Sequence, residues 1–564
     1  MSEKLKNLLT AGMVILFVII IFATVGIYYE TNDDRIIAEF LSGSMTGEPD
    51  AGAIYLNYLL SYPLMLLYRM TTGIPWYGIF LIGAHCMSLF VIMKSVLTMC
   101  ETVKGTIGGM GLCVCLLLSD VYMLSQIQFT STAALLAVAG YSCVISSKGS
   151  RKSQIIFLLM EIWAILLRRD SMLMIQPLGV AVLVGNFLGN GGYKEKIEWK
   201  KMGICACSVV AALFLGQIGN VIGYSSEEWK AYNQFNEASV AMFDYYGFPD
   251  YEEVRDILDK YGVTETEYAA YANYVMIEWD LSVECVQELA EYVQSMRAAD
   301  RVNPGILFKE ACAFLFSRNR LESNNLVGIL WIGAILGCAL IRKKEVILPF
   351  SLLAAARTAV WVYLIYMGRL PYRVTRPLLL GETVLLLLLL LNTWKMEIQK
   401  TGVRMLAGGM SVCFALWACI TGQRQFAYAV NANSAQEIMF QSFLEVKEYC
   451  QTHSENRYIL DDGSFSNCVG PALRTAVDGE VNYIYSGGWY SNSPNMVERI
   501  GEYLGELDEQ TEDFYLIIYD WSGERNAQDC GVTVQYLMEK TLREPEVADI
   551  LTLANGGTYL VLRF

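Results

Sequence analysis

The chain has 564 residues, of which 54% are hydrophobic and 18% are charged, and its formal net charge is −15. This composition is too apolar for an ordinary soluble protein and too charged for a bundle lying wholly in lipid, so it predicts a membrane part joined to sizeable aqueous parts. The negative charge argues against a nucleic-acid partner, because proteins bind the phosphate backbone mainly through cationic side chains.

The first element is an apolar run over residues 8–27, which is long enough to cross a bilayer as a helix. Lys4 and Lys6 precede it. Because basic residues favour the cytoplasmic side, the N-terminus is predicted to be cytoplasmic. No small-residue cleavage site follows the run, so we expect it to be retained as a membrane anchor.

Three carboxylates, Glu30, Asp33 and Asp34, follow where this run leaves the membrane on the outer side. Carboxylates at a membrane surface suggest chemistry on a lipid-linked substrate, because glycosyl or phosphoryl transfer to a hydroxyl needs a general base. Asp33 and Asp34 are adjacent and point differently, so only one of them is expected to face a site. The alternative is an ordinary solvated loop, since acidic residues are common outside membranes.

Eleven apolar stretches could span the membrane, and the basic loops between them set the topology. Clusters of Lys and Arg at 148–152, 194–201 and 342–344 are predicted to be cytoplasmic. With a cytoplasmic N-terminus, an even number of spans must precede Lys148. A further apolar stretch at 54–70 would make five spans, and without it there are four, so we do not count it as a span. The eleven stretches lie near residues 8–28, 77–98, 107–124, 127–146, 154–168, 171–188, 203–223, 326–341, 346–366, 378–393 and 403–422.

The same count predicts two long outer loops. Residues 29–76 form the first, and within it residues 53–70 contain a proline and several tyrosines, which suits a helix lying in the membrane interface. A true span is the alternative for that segment. Residues 224–325 form the second outer loop, which is acidic and rich in tyrosine, with helices predicted at 251–261 and 283–297.

The composition changes near residue 423, after which strand-like and helix-like segments alternate. This alternation predicts a small α/β domain. We therefore divide the chain into a transmembrane domain, 1–422, and an α/β domain, 423–564, which the count of eleven spans puts on the extracytoplasmic side. The predicted strands are 458–460, 514–519, 550–553 and 558–562, and the predicted helices are 435–451, 494–507 and 532–542.

Arginines stand at two outer turns, where the positive-inside rule disfavours them. The guanidinium group matches phosphate oxygens with a planar fork of donors, so both turns are candidates for a phosphate site. The second turn also suits an anionic lipid. The alternative for both is anchoring to lipid headgroups. The arginines are Arg168 and Arg169, beside Asp170, and Arg369, Arg373 and Arg376.

Polar side chains crowd another outer turn, residues 125–132, where Gln126 and Gln128 are the largest. Their amides could hydrogen-bond a sugar or cap the next helix, and we favour capping.

This order of features resembles the GT-C superfamily of integral-membrane glycosyltransferases. The features are a first span ending in Glu30-Thr31-Asn32-Asp33-Asp34, a long first outer loop with an interfacial helix, many spans with outer-turn arginines, and a soluble C-terminal domain. The resemblance covers roughly residues 1–422 and depends on architecture more than on any motif. It implies a polytopic α-helical membrane protein, with about 11 transmembrane helices and an extracytoplasmic C-terminal α/β domain.

The resemblance also implies a reaction. The donor would be a sugar linked to a polyprenyl phosphate, and the acceptor a cell-envelope glycan, lipid or protein. The first-loop acid, here Asp33 or Asp34, would be the catalytic base or a metal ligand. The sequence has no clear D-x-D, which leaves a divalent metal open. Its only histidines are His85 and His453, which excludes a histidine-rich metal site.

The leading hypothesis is therefore an inverting glycosyltransferase of the cell membrane that acts on the outer side. Its donor phosphate is expected at the outer-turn arginines, with Glu30, Gln126 and Gln128 in support. One alternative is a transporter or flippase of lipid-linked glycans, which should carry charges deep in several spans, where Glu161 and Arg357 are the main candidates. Another is a non-catalytic cell-surface protein that binds glycan.

Overall fold

The computed structural model describes residues 2–189, 191–301, 305, 309, 324–368, 370–397, 399–475, 481–523, 525 and 531–564. In chain order the described helices are α1 (Glu3–Thr24), α2 (Asn32–Ser42), α3 (Tyr58–Met70), α4 (Trp76–Met99), α5 (Val103–Ser125), α6 (Phe129–Ser146), α7 (Arg151–Leu167), α8 (Arg169–Gly189), α9 (Lys196–Gly223), α10 (Glu227–Val240), α11 (Tyr251–Tyr261), α12 (Glu265–Ala272), α13 (Val283–Arg301), α14 (Asn324–Ile341), α15 (Lys344–Met367), α16 (Tyr372–Glu397), α17 (Thr401–Thr452), α18 (Asp462–Phe465), α19 (Pro494–Leu504) and α20 (Val532–Thr541). The strands are β1 (Tyr28–Tyr29), β2 (Gln126–Ile127), β3 (Tyr458–Leu460), β4 (Tyr483–Tyr485), β5 (Tyr515–Tyr519), β6 (Glu546–Thr552) and β7 (Thr558–Arg563).

Nine of the described helices are long and apolar enough to cross a membrane, namely α1, α4, α5, α6, α8, α9, α15, α16 and α17. The 17-residue α7 and the apolar α14 correspond to the other two predicted stretches. α6 and α16 form the centre of the bundle, whereas α1, α9 and α17 keep most of their apolar surface turned outward, as lipid-facing helices do. The chain is a multi-pass membrane protein, and the predicted fold class is confirmed. The count of eleven spans stays a prediction.

α3 covers the apolar stretch that the topology left out of the span count. It has 13 residues and contains Pro63. A helix of this length is too short for the roughly 30 Å hydrocarbon core of a bilayer. It packs against α2, α7 and α9, which agrees with the interpretation as a helix at the membrane surface.

Several buried charged residues inside the bundle have polar partners on a neighbouring helix. His85 Nε2 of α4 lies 2.9 Å from Asp120 Oδ2 of α5. Arg357 of α15 forms an ion pair with Glu382 of α16, and Glu161 of α7 accepts a 2.9 Å hydrogen bond from α8. The sequence analysis named only Arg357 and Glu161 among these. Each of these contacts ties two neighbouring helices together.

The basic loops predicted to be cytoplasmic lie at one end of the bundle. The Lys6 ammonium group donates to the Leu97 carbonyl at the end of α4, and that of Lys201 donates to the Lys148 carbonyl at 3.0 Å. Lys343 forms an ion pair with the last residue of α16. This common placement agrees with the predicted alternation of loops.

The predicted outer segments meet at the opposite end. β1, from the start of the first loop, pairs in parallel with β2, from the turn between α5 and α6. The Ala472 N–H of the C-terminal part donates to the Ile27 carbonyl at 2.9 Å. Helices α10 to α13 add a separate apolar cluster centred on Leu258, Val286 and Leu289. The last part of the predicted loop 224–325 lies largely outside the described residues.

The C-terminal sheet has the strand order β4-β3-β5-β7-β6. β3 is parallel to β4 and β5, and β7 is antiparallel to β5 and β6. The four predicted strands correspond to β3, β5, β6 and β7, whereas β4 was not predicted. The proposed division after residue 422 falls inside α17, a continuous helix of 52 residues that runs from the membrane into this sheet-containing part.

Candidate functional site

A cavity of ≈ 560 Å³ lies where the predicted outer segments meet. Its wall is built from the start of α2, the chain after it, the turns before α6, α8 and α16, the helix α10 with its π-helical extension Ala241–Tyr246, and two loops of the C-terminal sheet. No single segment contains the site. Helices that are distant in sequence bring it together.

The two adjacent aspartates of the first loop differ in their surroundings. Asp33 lines the cavity, with 18% of its side chain exposed, and its Oδ2 lies 4.0 Å from Nη1 of Arg373. Consecutive residues of a helix point about 100° apart, so Asp34 points away from Asp33. Its side chain is fully buried. Asp33 is therefore the carboxylate that faces the cavity.

Asp34 instead joins three elements in the core. Its Oδ1 accepts hydrogen bonds from the Tyr77 hydroxyl of α4 at 2.7 Å and from the Phe129 N–H of α6 at 3.2 Å. Burial raises its pKa well above the usual range, although the Tyr77 hydrogen bond acts in the opposite direction. Because Asp34 is buried outside the cavity lining and its Oδ1 accepts these two hydrogen bonds, its role is to position α2.

Two of the predicted arginines line the cavity. Arg168 ends α7, and its guanidinium carbon lies 5.1 Å from the ring centre of Tyr55. Its Nη2 lies 3.7 Å from Oδ2 of Asp170. Arg373 stands in the first turn of α16 beside Asp33. Two guanidinium groups on partly exposed side chains can hold an anion in this wall.

The other predicted arginines lie elsewhere. Arg376 is stacked on Tyr122, with 3.3 Å between its guanidinium carbon and the ring centre, and it does not line the cavity. Arg169 is exposed and lies outside the cavity wall. Arg369 lies outside the described residues. These three stay predictions, and the position of Arg376 favours a packing role.

Glu30 belongs to the same cluster as Arg376. It accepts a 3.2 Å hydrogen bond from the Tyr122 hydroxyl. Burial raises the pKa of Glu30, and the positive charges of Arg376 and Arg373 act against that rise. Glu30 therefore has a structural role beside Tyr122 and Arg376, and it does not line the cavity.

The two glutamines of the turn before α6 make structural contacts. Gln128 caps α6 by accepting hydrogen bonds from the N–H groups of Thr130 at 2.6 Å and Ser131 at 3.2 Å, as we favoured. Gln126 forms an amide network with Asn433 and Gln436 of α17. Neither glutamine lines the cavity.

An apolar groove adjoins the cavity. It has a volume of ≈ 640 Å³, runs between α8, α15 and α16, and is lined by side chains such as Leu173, Met174 and Leu364. The cavity and the groove share five lining residues, which are Thr130, Arg168, Asp170, Tyr245 and Arg373. Both cavity arginines thus stand where a polar chamber opens into an apolar groove among membrane helices.

The sequence analysis missed the contribution of the C-terminal sheet. Asp462, Ser466, Gly488 and Trp489 all line the cavity. A signal was present, because Asp461 and Asp462 directly follow the short apolar strand β3, and polar residues at such strand ends often bind ligands. The side chains contributed by α10 had no recognisable local pattern.

Within the described residues, no group of three or more His, Cys, Asp or Glu side chains is arranged to hold a metal ion. The charged side chains that line the cavity are carboxylates and guanidinium groups. This arrangement can bind a phosphate beside a proton acceptor.

Comparison with known proteins gives a weak likeness among solved structures. No family model and no curated protein matches the chain. Among solved structures, the chain is similar to ArnT from Cupriavidus metallidurans, which was crystallised bound to undecaprenyl phosphate. The match covers 98% of each chain at 12% sequence identity, with a TM-score of 0.34. A TM-score of this size does not establish a common fold.

Proposed function

We propose that the protein is a membrane glycosyltransferase that moves a sugar from a polyprenyl-phosphate-linked donor to a cell-envelope glycan, lipid or protein. The observation that carries the proposal is the junction between the apolar groove and the polar cavity at Arg168 and Arg373. A lipid-linked sugar has the same order of parts, since its anionic phosphate lies between an apolar tail and a polar sugar ring. The groove suits the tail and the cavity suits the sugar.

The positions of the charged groups support a single displacement. The acceptor hydroxyl gives its proton to Asp33 as its oxygen bonds to the anomeric carbon. The bond from that carbon to the phosphate oxygen breaks, and the phosphate leaves with the electron pair. Arg168 and Arg373 stabilise the charge that develops on the phosphate. One displacement inverts the anomeric configuration.

The proposal includes a location. The cavity is formed by the segments that the basic loops predict to be extracytoplasmic. The protein would therefore act at the outer face of the cell membrane, with its N-terminus inside and its C-terminal part outside. A lipid-linked donor is suited to that side, because it needs no soluble activated sugar there.

The test is transfer by the purified full-length protein in lipid nanodiscs. Radiolabelled undecaprenyl-phosphate sugars would be supplied with a cell-envelope extract as the source of acceptor. We expect Asp33→Asn to lower the transfer rate about 10²–10⁴-fold, the usual contribution of a general base. Asp256→Asn is the matched control, since Asp256 is an exposed carboxylate of α11 that does not line the cavity.

Two results would contradict the proposal. One is the absence of transfer from every polyprenyl-phosphate sugar by the unmodified protein. The other is full activity in the Asp33→Asn protein, since the carboxylate that faces the cavity would then have no part in the reaction.

A further inference from the structure

The carboxyl edge of the C-terminal sheet faces the cavity. β3 lies between β4 and β5 and is parallel to both, so the chain passes from β3 to one side and then to the other. In open sheets of this kind, ligands bind beyond the carboxyl ends of the strands where the order reverses. The loops 461–466 and 486–489 follow β3 and β4 at that point, and they bring Asp462 and Trp489 into the cavity wall.

A glycine fixes the position of the second loop. Gly487 forms an antiparallel bridge with Val275, and a Cβ atom at Gly487 would lie 1.5 Å from the Tyr274 carbonyl oxygen. No side chain fits there, so glycine permits this close approach. The contact holds Trp489 in place, with its ring centre 4.4 Å from that of Tyr55 in the first outer loop.

Both side chains have hydrogen-bonding capacity that the protein does not use. Trp489 Nε1 is buried without a hydrogen-bond partner in the described part of the chain. The Asp462 N–H donates to the Ser486 hydroxyl, but no described group donates to the Asp462 carboxyl group. Burial raises the pKa of Asp462 to about 7, while the charge of Arg35 acts to lower it. Unpaired polar groups in a buried wall are costly unless a ligand satisfies them.

Charge is distributed unevenly along the cavity. Both arginines and Asp170 belong to the end shared with the groove. The charged residues that line only the cavity are all acidic, namely Asp33, Glu237, Asp244 and Asp462. The part of the cavity away from the groove, to which the C-terminal sheet contributes Asp462, is therefore anionic in character. An anionic ligand would be repelled there, while a neutral sugar hydroxyl can donate to a carboxylate in a charge-assisted hydrogen bond.

An aromatic ring beside a carboxyl group suits a saccharide. The C–H face of a pyranose ring is apolar and packs on an aromatic ring, while its hydroxyl groups hydrogen-bond to nearby acceptors and donors. Trp489 and Tyr55 supply the rings, and Asp462 and Trp489 Nε1 supply the polar partners.

We propose that Asp462 and Trp489 form the acceptor subsite, and that this subsite takes a saccharide ring without negative charge. The inference depends on the proposed transferase function, because it assigns the second substrate of the same cavity. The C-terminal part then completes the site, with the donor phosphate at the arginines and the acceptor on the opposite side of Asp33.

The test uses saturation-transfer NMR on the full-length protein with an equimolar mixture of methyl glucoside and methyl glucuronide. We expect the glucoside to bind and the glucuronide to bind about tenfold more weakly, which corresponds to about 1.4 kcal/mol.

Trp489→Ala should weaken glucoside binding about tenfold, through loss of the ring and of the N–H donor. Trp489→Phe keeps a ring against Tyr55 and lacks the donor, so it should fold normally and give an intermediate loss. Asp462→Asn should also weaken glucoside binding.

The control variant is Trp521→Ala, since Trp521 is 63% exposed and does not line the cavity. Binding of undecaprenyl phosphate alone, measured on the same samples, separates the two proposals.

If undecaprenyl phosphate binds and no glucoside binding is seen, or if Trp489→Ala binds glucoside normally, the acceptor subsite is wrong while the transferase proposal stands. Equal binding of glucoside and glucuronide overturns the charge selectivity. If the glucoside binds in a Trp489-dependent way but there is neither undecaprenyl phosphate binding nor sugar transfer, the transferase proposal fails and the saccharide site remains.

Discussion

Arg373 and Arg376 stand one helical turn apart, yet their surroundings separate them. Arg373 lies at the junction of the cavity and the groove, 4.0 Å from Asp33. Arg376 is covered by the ring of Tyr122 and lies near that of Tyr372, with its Nη1 buried. A stacked guanidinium group contributes mainly packing and cation–π energy. The two arginines should therefore respond differently to substitution.

We expect Arg373→Ala to raise the apparent KM for the lipid-linked donor about tenfold or more, because a charge-assisted hydrogen bond contributes roughly 1.5–3 kcal/mol. Arg373→Lys should recover only part of this loss, since lysine lacks the planar fork. Arg376→Ala should lower the thermal midpoint of unfolding and leave the donor KM nearly unchanged. Donor titrations and melting curves on the same samples check both effects. A larger KM change in Arg376→Ala than in Arg373→Ala would reverse the assignment.

The sequence predicted these positions without distinguishing between them. Its positive-inside argument applies equally to every arginine of an outer turn. Arg376 differs from Arg373 because its guanidinium group stacks on Tyr122 of α5, a residue 254 positions earlier in the chain. Asp33 and Asp34 were also separable in principle, because neighbouring helical residues diverge, but the direction of the cavity relative to α2 is a tertiary property. Residue type and topology thus predicted the candidates, and packing determined which of them line the cavity.

At the scale of elements, the groove between α8, α15 and α16 is the place that the proposed function assigns to the apolar tail of the donor. Pro177 lies on its α8 wall, and Pro371 lies at its upper end just before α16. Proline lacks a backbone N–H, which loosens or ends a helix at such points. If the proposed function is correct, we expect this groove to discriminate between donors through the length of the tail.

Narrowing the groove should affect long-tailed donors selectively. Ala359 of α15 lines the groove, so Ala359→Trp should occupy part of its volume. We expect the donor KM to rise at least several-fold for an undecaprenyl donor and to change little for a donor with a short isoprenoid tail. Ala355→Trp is the matched control, because Ala355 is exposed on the same helix and does not line the groove. An equal effect on both donors, or an equal effect of both variants, would contradict this role of the groove.

The elements themselves were mostly predictable from local patterns. Long apolar runs predicted the membrane helices, and short strand-like runs predicted strands β3, β5, β6 and β7, because each pattern is set by neighbouring residues. β4, Tyr483–Tyr485, was not predicted, and it has its regular structure from pairing with β3. The groove could not be predicted, because the distance between α8 and α15 depends on contacts that no single segment contains.

At the scale of the whole molecule, the outer segments form one layer above the bundle. The C-terminal helix α20 is tied to the second outer loop, where the Lys540 ammonium group donates to Glu267 at 2.7 Å and forms an ion pair with Asp280. Trp489 packs against Tyr55 of the first outer loop. The continuous helix α17 carries this layer from the membrane. The C-terminal part is therefore held over the cavity from several sides.

The side of the membrane on which this layer lies determines which acceptors the cavity can reach. The basic loops predict that the layer is outside, so a cysteine placed in it should react with a membrane-impermeant maleimide added to intact cells. Trp521→Cys provides that position, because Trp521 is 63% exposed in the C-terminal part. Lys152→Cys provides the opposite position, at the start of α7 in a loop predicted to be cytoplasmic. We expect Trp521→Cys to be labelled before lysis and Lys152→Cys only after lysis, with the unsubstituted protein as background. The reverse pattern would put Asp33 and both arginines on the cytoplasmic side, and an outer-face transfer to envelope acceptors would then be excluded.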